Sequence, residues 1–161
     1  MKSRYMATGA MIAALYATLT LMMAPLSYGP VQFRISEALT LLPWYLPEAA
    51  PGLFVGCLIA NFLGTYGMTD AIVGSLATLT AAVLTARMPG LWTAALPPVA
   101  VNMAAVGGML HILSGVPLLP VCLYVALGEA GACFLIGVPL MRALERAGVL
   151  IRPRRGGGGR A

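Results

Sequence analysis

Six long apolar runs, separated by short loops, occupy most of this 161-residue chain. A helix needs about 20 apolar residues to cross the hydrocarbon core of a bilayer, with a range of roughly 17–25. Hydrophobic residues make up 60% of the sequence and charged residues only 9%, whereas soluble domains carry about 25% charged residues. The sequence therefore predicts an all-α integral membrane protein, built as a compact bundle of six transmembrane helices.

The predicted spans differ in length and regularity. The second and third are the shortest, and Pro43 and Pro47 interrupt the second, so a kinked or re-entrant pair is the alternative for these two. The sixth is long enough to tilt or to emerge from the membrane as a cytoplasmic helix. The six predicted spans are residues 6–24, 34–50, 51–66, 70–87, 91–113 and 117–145.

Basic residues are distributed unevenly between the two sides of this bundle. With six spans, nine of the ten lysines and arginines fall on the side that holds both termini, and only Arg34 falls on the other. Because cytoplasmic loops are rich in Lys and Arg, both termini are predicted to be cytoplasmic. We expect residues 1–148 to form the transmembrane domain and residues 149–161 to form a flexible Arg/Gly-rich cytoplasmic tail. The tail arginines either only determine topology or also attract anionic lipid or RNA.

Polar side chains inside the predicted spans are the candidates for function. An ionisable group at the bilayer centre costs about 2.5–3.5 kcal/mol on insertion scales. Glu129 lies near the middle of the sixth span among small residues, and Asn102 lies at similar depth in the fifth. Asn61 and Glu37 lie in the outer halves of their spans. We expect these groups to line a cavity open to the outside, although the two asparagines could instead join helices by hydrogen bonds.

Arg34 and Glu37 lie one helical turn apart in VQFRISEAL, at the start of the second span. The simplest interpretation is a local ion pair, worth about 0.2–0.5 kcal/mol in water. The flanking loop PLSYGPVQF also carries Tyr28, Gln32 and Phe33. This mixture of aromatic and amide side chains is suited to closing over a flat aromatic ligand.

The first span carries small residues at helical spacing. Ala10 and Ala14 form one stripe, and Gly9, Ala13 and Ala17 form another. Small residues four apart allow a second helix to approach backbone to backbone. That helix could belong to this chain or to another protein, and the pattern favours neither.

Motifs for catalysis and for ATP hydrolysis are absent from the sequence. Lys2 is the only lysine, so no G-x-x-x-x-G-K-[ST] loop is present, and neither G-x-S-x-G nor H-E-x-x-H occurs. The chain is therefore predicted to be neither an enzyme nor its own ATPase, and to need no cofactor. Binding and transport remain as functions.

Four segments within residues 7–145 carry a resemblance to a known family: GPVQFRISEALTLLPWYLPEAAPGLFVGCLIANFLG, DAIVGSLATLTAAVLT, LPPVAVNMAAVGG and LYVALGEAGACFLIGVPL. They resemble the QueT-type queuosine-precursor transporters, which belong to the substrate-binding (S) components of energy-coupling factor (ECF) importers. The resemblance implies a bacterial cytoplasmic membrane, a deazaguanine substrate and an outward-facing pocket. It also implies a coupling transmembrane protein and two ATPase subunits as partners, and no nucleic acid. The family's docking surface is matched here by Ala10 and Ala14, with Ala13 and Ala17 as the neighbouring register.

The chemistry of the implied substrate suits acidic side chains. A deazaguanine presents an N–H and an exocyclic amine side by side, which one carboxylate can accept together. The aminomethyl precursor adds a cation that a second carboxylate or an aromatic face could hold. The resemblance thus implies a site built from Glu129, Glu37, Asn102, Asn61, Arg34 and Gln32, with Tyr28, Phe33, Trp44 and Tyr45 as stacking candidates.

Three questions stay open at this level. Arg34 could simply neutralise Glu37, in which case Glu129 would be the main residue that recognises the ligand. The cargo could be the aminomethyl precursor, the nitrile or queuine. The competing hypothesis is a self-sufficient small transporter or channel, in which Glu129 lines a permeation path.

Overall fold

The computed structural model describes residues 2–27 and 33–151. Every regular secondary-structure element in these ranges is a helix. Tyr28, Gln32 and most of the predicted tail lie outside these ranges. In chain order the elements are α1 (Lys2–Met22), α2 (Ala24–Ser27), a 3-10 helix (Ile35–Trp44), α3 (Ala49–Phe62), α4 (Gly67–Thr85), α5 (Leu91–Ala94), α6 (Leu96–Ser114), α7 (Leu118–Ala130), a π-helix (Gly131–Gly137) and α8 (Val138–Arg146).

Four helical stretches among the described residues are long and apolar enough to cross a membrane. They coincide with the first, fourth, fifth and sixth predicted spans. The last runs continuously through α7, the π-helix and α8. The four stretches are Ser3–Met22, Gly67–Thr85, Leu91–Ser114 and Leu118–Arg146.

The second predicted span differs from the expectation of one α-helix broken by prolines. It consists of the 3-10 helix, which includes Pro43, and a turn that leads into α3 at Ala49. The 3-10 helix rises about 2.0 Å per residue, against about 1.5 Å for an α-helix. Ten residues therefore extend roughly 20 Å, a distance similar to the length of the 14-residue helix α3. The third predicted span corresponds to α3, which ends at Phe62 rather than at residue 66.

The 3-10 helix forms the centre of the bundle. Nine of its ten residues are buried, and it contacts α1, α3, α4, α5, α8 and the π-helix. Leu41 packs against Gly137 of the π-helix, where a Cβ would come 2.8 Å from the leucine Cδ1. The main apolar core surrounds this helix and extends to Leu150, so packed structure continues past the boundary predicted at residue 148.

Successive passes of the chain run in opposite directions. Asn61 at the end of α3 bonds to Asp70 at the start of α4, and Thr85 at the end of α4 bonds to Ala94 of α5. Similar hydrogen bonds join α1 to the 3-10 helix and α6 to α7. The bundle thus has two ends, named here after an arginine at each. The Arg34 end holds Thr20, Ser27, Arg34, Asn61 and Asp70, and the Arg142 end holds Tyr45, Met88, Trp92, Arg142 and Glu145.

Candidate functional site

Glu129 and Asn102 meet in the interior of the bundle, as the sequence predicts. The side-chain amide of Asn102 on α6 donates to Oε1 of Glu129 on α7 at 2.8 Å, and the two residues are only 3% and 4% exposed. Gly107 allows these helices to lie close together, because a Cβ there would come 2.8 Å from Sγ of Cys122. The close packing of α6 and α7 therefore brings the amide and the carboxyl group into contact.

Glu37 joins this pair from the 3-10 helix. Its Oε1 accepts a hydrogen bond from the hydroxyl of Tyr16 on α1, and its side chain is buried. The thiol of Cys133, one helical turn after Glu129, lies 3.6 Å from the backbone oxygen of Glu37. The helical segment that follows Glu129 therefore lies against the Glu37 backbone. Two acidic side chains on different elements thus face one region of the interior.

Three buried oxygens in this cluster lack a hydrogen-bond donor among the described residues. They are Oε2 of Glu37, Oδ1 of Asn102 and Oε2 of Glu129, and no other buried side-chain nitrogen or oxygen in the described ranges is unpaired. Buried polar groups are nearly always hydrogen-bonded, and leaving one without a partner costs about 1–3 kcal/mol. Each of these oxygens can accept a hydrogen bond from a ligand N–H group. We call Glu37, Asn102 and Glu129 the acceptor cluster.

Irregular helices lie at or next to the two acids of the acceptor cluster. Glu37 lies in the first turn of the 3-10 helix, and Glu129 lies two residues before the π-helix begins at Gly131. Long 3-10 stretches are uncommon, and π-helical turns are frequent at functional sites. The hydroxyl of Thr40 donates to the Glu37 backbone oxygen at 2.6 Å, which fixes the local backbone. Irregular helical geometry therefore occurs at Glu37 and just after Glu129, the two acids that each have one oxygen without a donor among the described residues.

Arg34 bonds to Asp70 rather than forming the local ion pair with Glu37 that the spacing suggested. Its Nη2 lies 3.1 Å from Oδ2 of Asp70, and its Nη1 donates to Oδ1 of Asn61 at 3.0 Å. The Asn61 amide in turn donates to Oδ1 of Asp70 at 3.3 Å. Asn61 therefore lies in this ion-pair network, not in the acceptor cluster. We call Arg34, Asn61 and Asp70 the arginine clasp.

The aromatic candidates lie in two places. The ring of Phe33 is half-buried and lies against Gly131, two residues from Glu129. Trp44 and Tyr45 lie at the far end of the 3-10 helix, where the indole N–H donates to the Met88 carbonyl. Trp44 lies seven positions after Glu37, which is about 14 Å along a 3-10 helix. Trp44 and Tyr45 therefore lie at the opposite end of the 3-10 helix from Glu37, and their role as stacking partners stays a prediction, as does that of Phe33.

Sequence reasoning missed two members of these networks. Asp70 was placed only as the start of a span, and Tyr16 was assigned no role. Asp70 could have been found from topology, because Arg34 and Asp70 are charges predicted on the same side of the membrane and each needs compensation. Tyr16 carries no such signal, since a tyrosine in an apolar helix is ordinary.

The small residues of α1 face two different directions. Ala13 and Ala17 are buried, whereas Ala10 and Ala14 are exposed. The buried stripe packs on α3, where a Cβ on Gly56 would come 2.7 Å from the Ala13 backbone oxygen. Packing within the chain thus accounts for the stripe that contains Ala13 and Ala17. The stripe that contains Ala10 and Ala14 remains on the surface. Beside it lies an apolar groove of about 410 Å³, lined by Tyr5, Met6, Gly9, Ala10, Pro51 and Val55, among others.

In the described ranges, no three His, Cys, Asp or Glu side chains are grouped to hold a metal ion. The acids near the bundle interior are instead dispersed between the acceptor cluster and the arginine clasp. Their partners are amides, hydroxyls and one guanidinium group.

Comparison with known proteins agrees with the resemblance seen in the sequence. A family model described as QueT transporter matches residues 6–146. The queuosine precursor transporter QueT of Lactococcus lactis subsp. cremoris (strain MG1363) is 42% identical over 74 residues, a stretch that covers 45% of this chain and 43% of that protein. The match thus spans less than half of the relative, and no solved structure matches the chain. Because the family model covers most of the sequence, this chain belongs to the QueT transporter family, a family of transporters and not of enzymes.

Proposed function

We propose that the chain is the substrate-binding component of an ECF importer, which captures a 7-deazaguanine queuosine precursor outside the cell and delivers it to the cytoplasm. A separate coupling membrane protein and two ATPase subunits would drive transport, as the resemblance to ECF substrate-binding components implies. The sequence itself contains no nucleotide-binding loop. The observation that carries this proposal is the acceptor cluster, with its three buried oxygens that lack donors among the described residues.

The donor pattern of a deazaguanine complements this cluster. The pyrimidine edge presents an N–H beside an exocyclic amine, which the free oxygens of Glu129 and Asn102 could accept. The Asn102 amide group already donates to Glu129, so Asn102 offers its oxygen rather than its nitrogen. An aminomethyl substituent would add a charged donor for Glu37, and hydrogen bonds to charged groups contribute about 1.5–3 kcal/mol. Phe33 would cover the ligand plane beside Gly131.

The distribution of charge supports a defined orientation in the bacterial cytoplasmic membrane. Four arginines lie at or near the Arg142 end of the bundle, namely Arg4, Arg87, Arg142 and Arg146. The positive-inside rule assigns this end to the cytoplasm. With six passes, the 3-10 helix and α3 included, both termini are cytoplasmic and the Arg34 end faces outward.

The exposed stripe of α1 is the proposed docking surface for the coupling protein. Ala10 and Ala14 leave the α1 backbone accessible, and the neighbouring groove is apolar. A partner helix could therefore approach within backbone contact, as small residues allow in membranes. Ala13 and Ala17 are already used for packing inside the chain.

Ligand binding to the purified protein tests the proposed substrate. Glu129→Gln should weaken binding of the aminomethyl deazaguanine by about 10- to 150-fold, because a charged acceptor is lost. Glu145→Gln is the matched control, since Glu145 accepts a hydrogen bond from Tyr45 at the opposite end of the bundle and should leave binding unchanged. Equal affinities for the wild type and Glu129→Gln would remove Glu129 from the binding site.

Uptake in reconstituted vesicles tests the transport mechanism. Uptake of the labelled precursor should require the coupling protein, both ATPase subunits and ATP. Uptake by this chain alone would support the self-sufficient transporter instead, without contradicting the binding result.

A further inference from the structure

Among the described residues, one cation and three acids are buried. The arginine clasp pairs the cation with one of these acids and leaves the other two without an ion-pair partner. Arg34, Glu37, Asp70 and Glu129 are the buried charged side chains in the described ranges. Arg34 forms its ion pair with Asp70, while Glu37 bonds to Tyr16 and Glu129 to Asn102. The two glutamates are therefore compensated by neutral donors only, apart from the more distant influence of Arg34.

The direction of the Arg34 side chain is fixed from three sides. Its Nε donates to the Ser27 backbone oxygen at 3.3 Å, and its two terminal nitrogens bond to Asn61 and Asp70. A Cβ at Gly74 would overlap the Asn61 amide, so α4 approaches this point closely because residue 74 is glycine. Three separate elements thus hold the guanidinium group on Asp70.

Arg34 is nevertheless near the acceptor cluster. Glu37 follows it by three residues and donates its backbone N–H to the Arg34 carbonyl at 3.0 Å, and Cys133, four residues after Glu129, contacts the Glu37 backbone. Without the Asp70 carboxylate, the positive charge of Arg34 would lose the acid that it bonds to and would act more strongly on Glu37, three residues along the chain. In an interior of low dielectric such a charge strongly reduces the affinity for a cationic guest.

We propose that the Arg34–Asp70 pair determines specificity: by neutralising Arg34, Asp70 leaves Glu37 and Glu129 as a net acidic site that selects a ligand carrying a primary ammonium over its uncharged analogue. This inference rests on the proposed function and names the charge class of its substrate. Neither residue of the pair needs to touch the ligand. Burying two carboxylates without a cation is unfavourable, and a cationic ligand relieves that cost.

The test compares two probes that differ mainly in charge, the aminomethyl deazaguanine and the nitrile deazaguanine, in equilibrium binding to the purified full chain. The wild type should prefer the aminomethyl compound. Asp70→Asn should reduce that preference by about tenfold or more, with little change for the nitrile. The double variant Arg34→Gln/Asp70→Asn, which removes both charges, should restore the preference.

The single variant Arg34→Gln keeps the test decisive if Asp70→Asn fails to fold. It leaves an extra acid near the site, so the preference for the cation should be retained or increased. Loss of both ligands in Arg34→Gln, in protein that elutes and melts like the wild type, would mean that Arg34 contacts the ligand and would overturn the inference. An equal loss for both probes in Asp70→Asn, without rescue in the double variant, would overturn it as well.

Failure of the proposed function gives a different pattern. If the wild type binds neither probe, both the proposed substrate and this inference are wrong. If the wild type binds both probes and the preference does not respond to residue 70, only the inference is wrong.

Discussion

The ring of Phe33 lies so close to the backbone of Gly131 that a Cβ at residue 131 would come 2.8 Å from Cε2 of the ring. This contact joins the segment before the 3-10 helix to the first residue of the π-helix. It also places an aromatic face two residues from Glu129. The glycine is therefore required for close approach, since its backbone is ordinary right-handed helix.

Gly131→Ala should displace the Phe33 ring and weaken ligand binding severalfold. Overpacking of this kind costs about 1–3 kcal/mol, so the melting temperature should also fall. Gly108→Ala is the matched control, because a Cβ at that helical glycine meets nothing within 4 Å. The control should be neutral or slightly stabilising, as Ala is the better helix former. Binding equal to wild type in Gly131→Ala would show that Phe33 does not cover the ligand.

Tyr16→Phe should destabilise the protein through Glu37. The substitution removes the hydroxyl that donates to Oε1 of Glu37, so both oxygens of a buried carboxyl group would lack a donor among the described residues. The expected loss is about 1–3 kcal/mol in unfolding free energy, measured by thermal unfolding in detergent. Tyr124→Phe provides the comparison, since Tyr124 is 46% exposed.

Ligand should partly rescue the Tyr16→Phe variant. A guest that donates to Glu37 supplies part of the lost hydrogen bonding, so saturating ligand should raise the melting temperature of the variant more than that of the wild type. Equal stability of the variant and wild type without ligand would show that the Tyr16 hydroxyl contributes nothing to holding Glu37.

The lengths of the apolar runs predicted much of this fold, because four of these runs form helices long enough to cross a membrane. The same pattern could not predict the 3-10 helix. Nine of its ten residues are buried, and an element that is buried on every side has no polar face to reveal its period. The π-helix was hidden within one continuous apolar stretch, although only three of its seven residues are buried.

The acceptor cluster was partly predictable, whereas topology placed the charges of the arginine clasp on one side of the membrane without pairing them. Glu129 and Asn102 stand out as polar groups deep in apolar spans, and depth alone suggested that they could meet. Arg34 and Asp70 are 36 residues apart in sequence, so their pairing depends on how the 3-10 helix and α4 pack. Local spacing favoured Glu37 as the partner of Arg34, but tertiary packing placed Asp70 closer to the guanidinium group.

Two adjacent alanines of α1 should respond differently to the same substitution. Ala13 is buried, and its backbone oxygen would lie 2.7 Å from a Cβ on Gly56 of α3. Leucine at residue 13 would force these helices apart, with a cost of about 1–3 kcal/mol or more. Ala14 is exposed, so leucine there has room and should leave folding and ligand affinity unchanged.

Ala14→Leu should nevertheless reduce assembly with the proposed coupling protein. The added side chain would separate the α1 backbone from a partner helix that depends on small residues for contact. Co-purification of the coupling protein and its ATPases with tagged Ala14→Leu, compared with wild type, measures this loss. Ala13→Leu should instead lower the melting temperature of the isolated chain. Intact complex formation by Ala14→Leu would mean that the partner docks elsewhere and that this stripe faces only lipid.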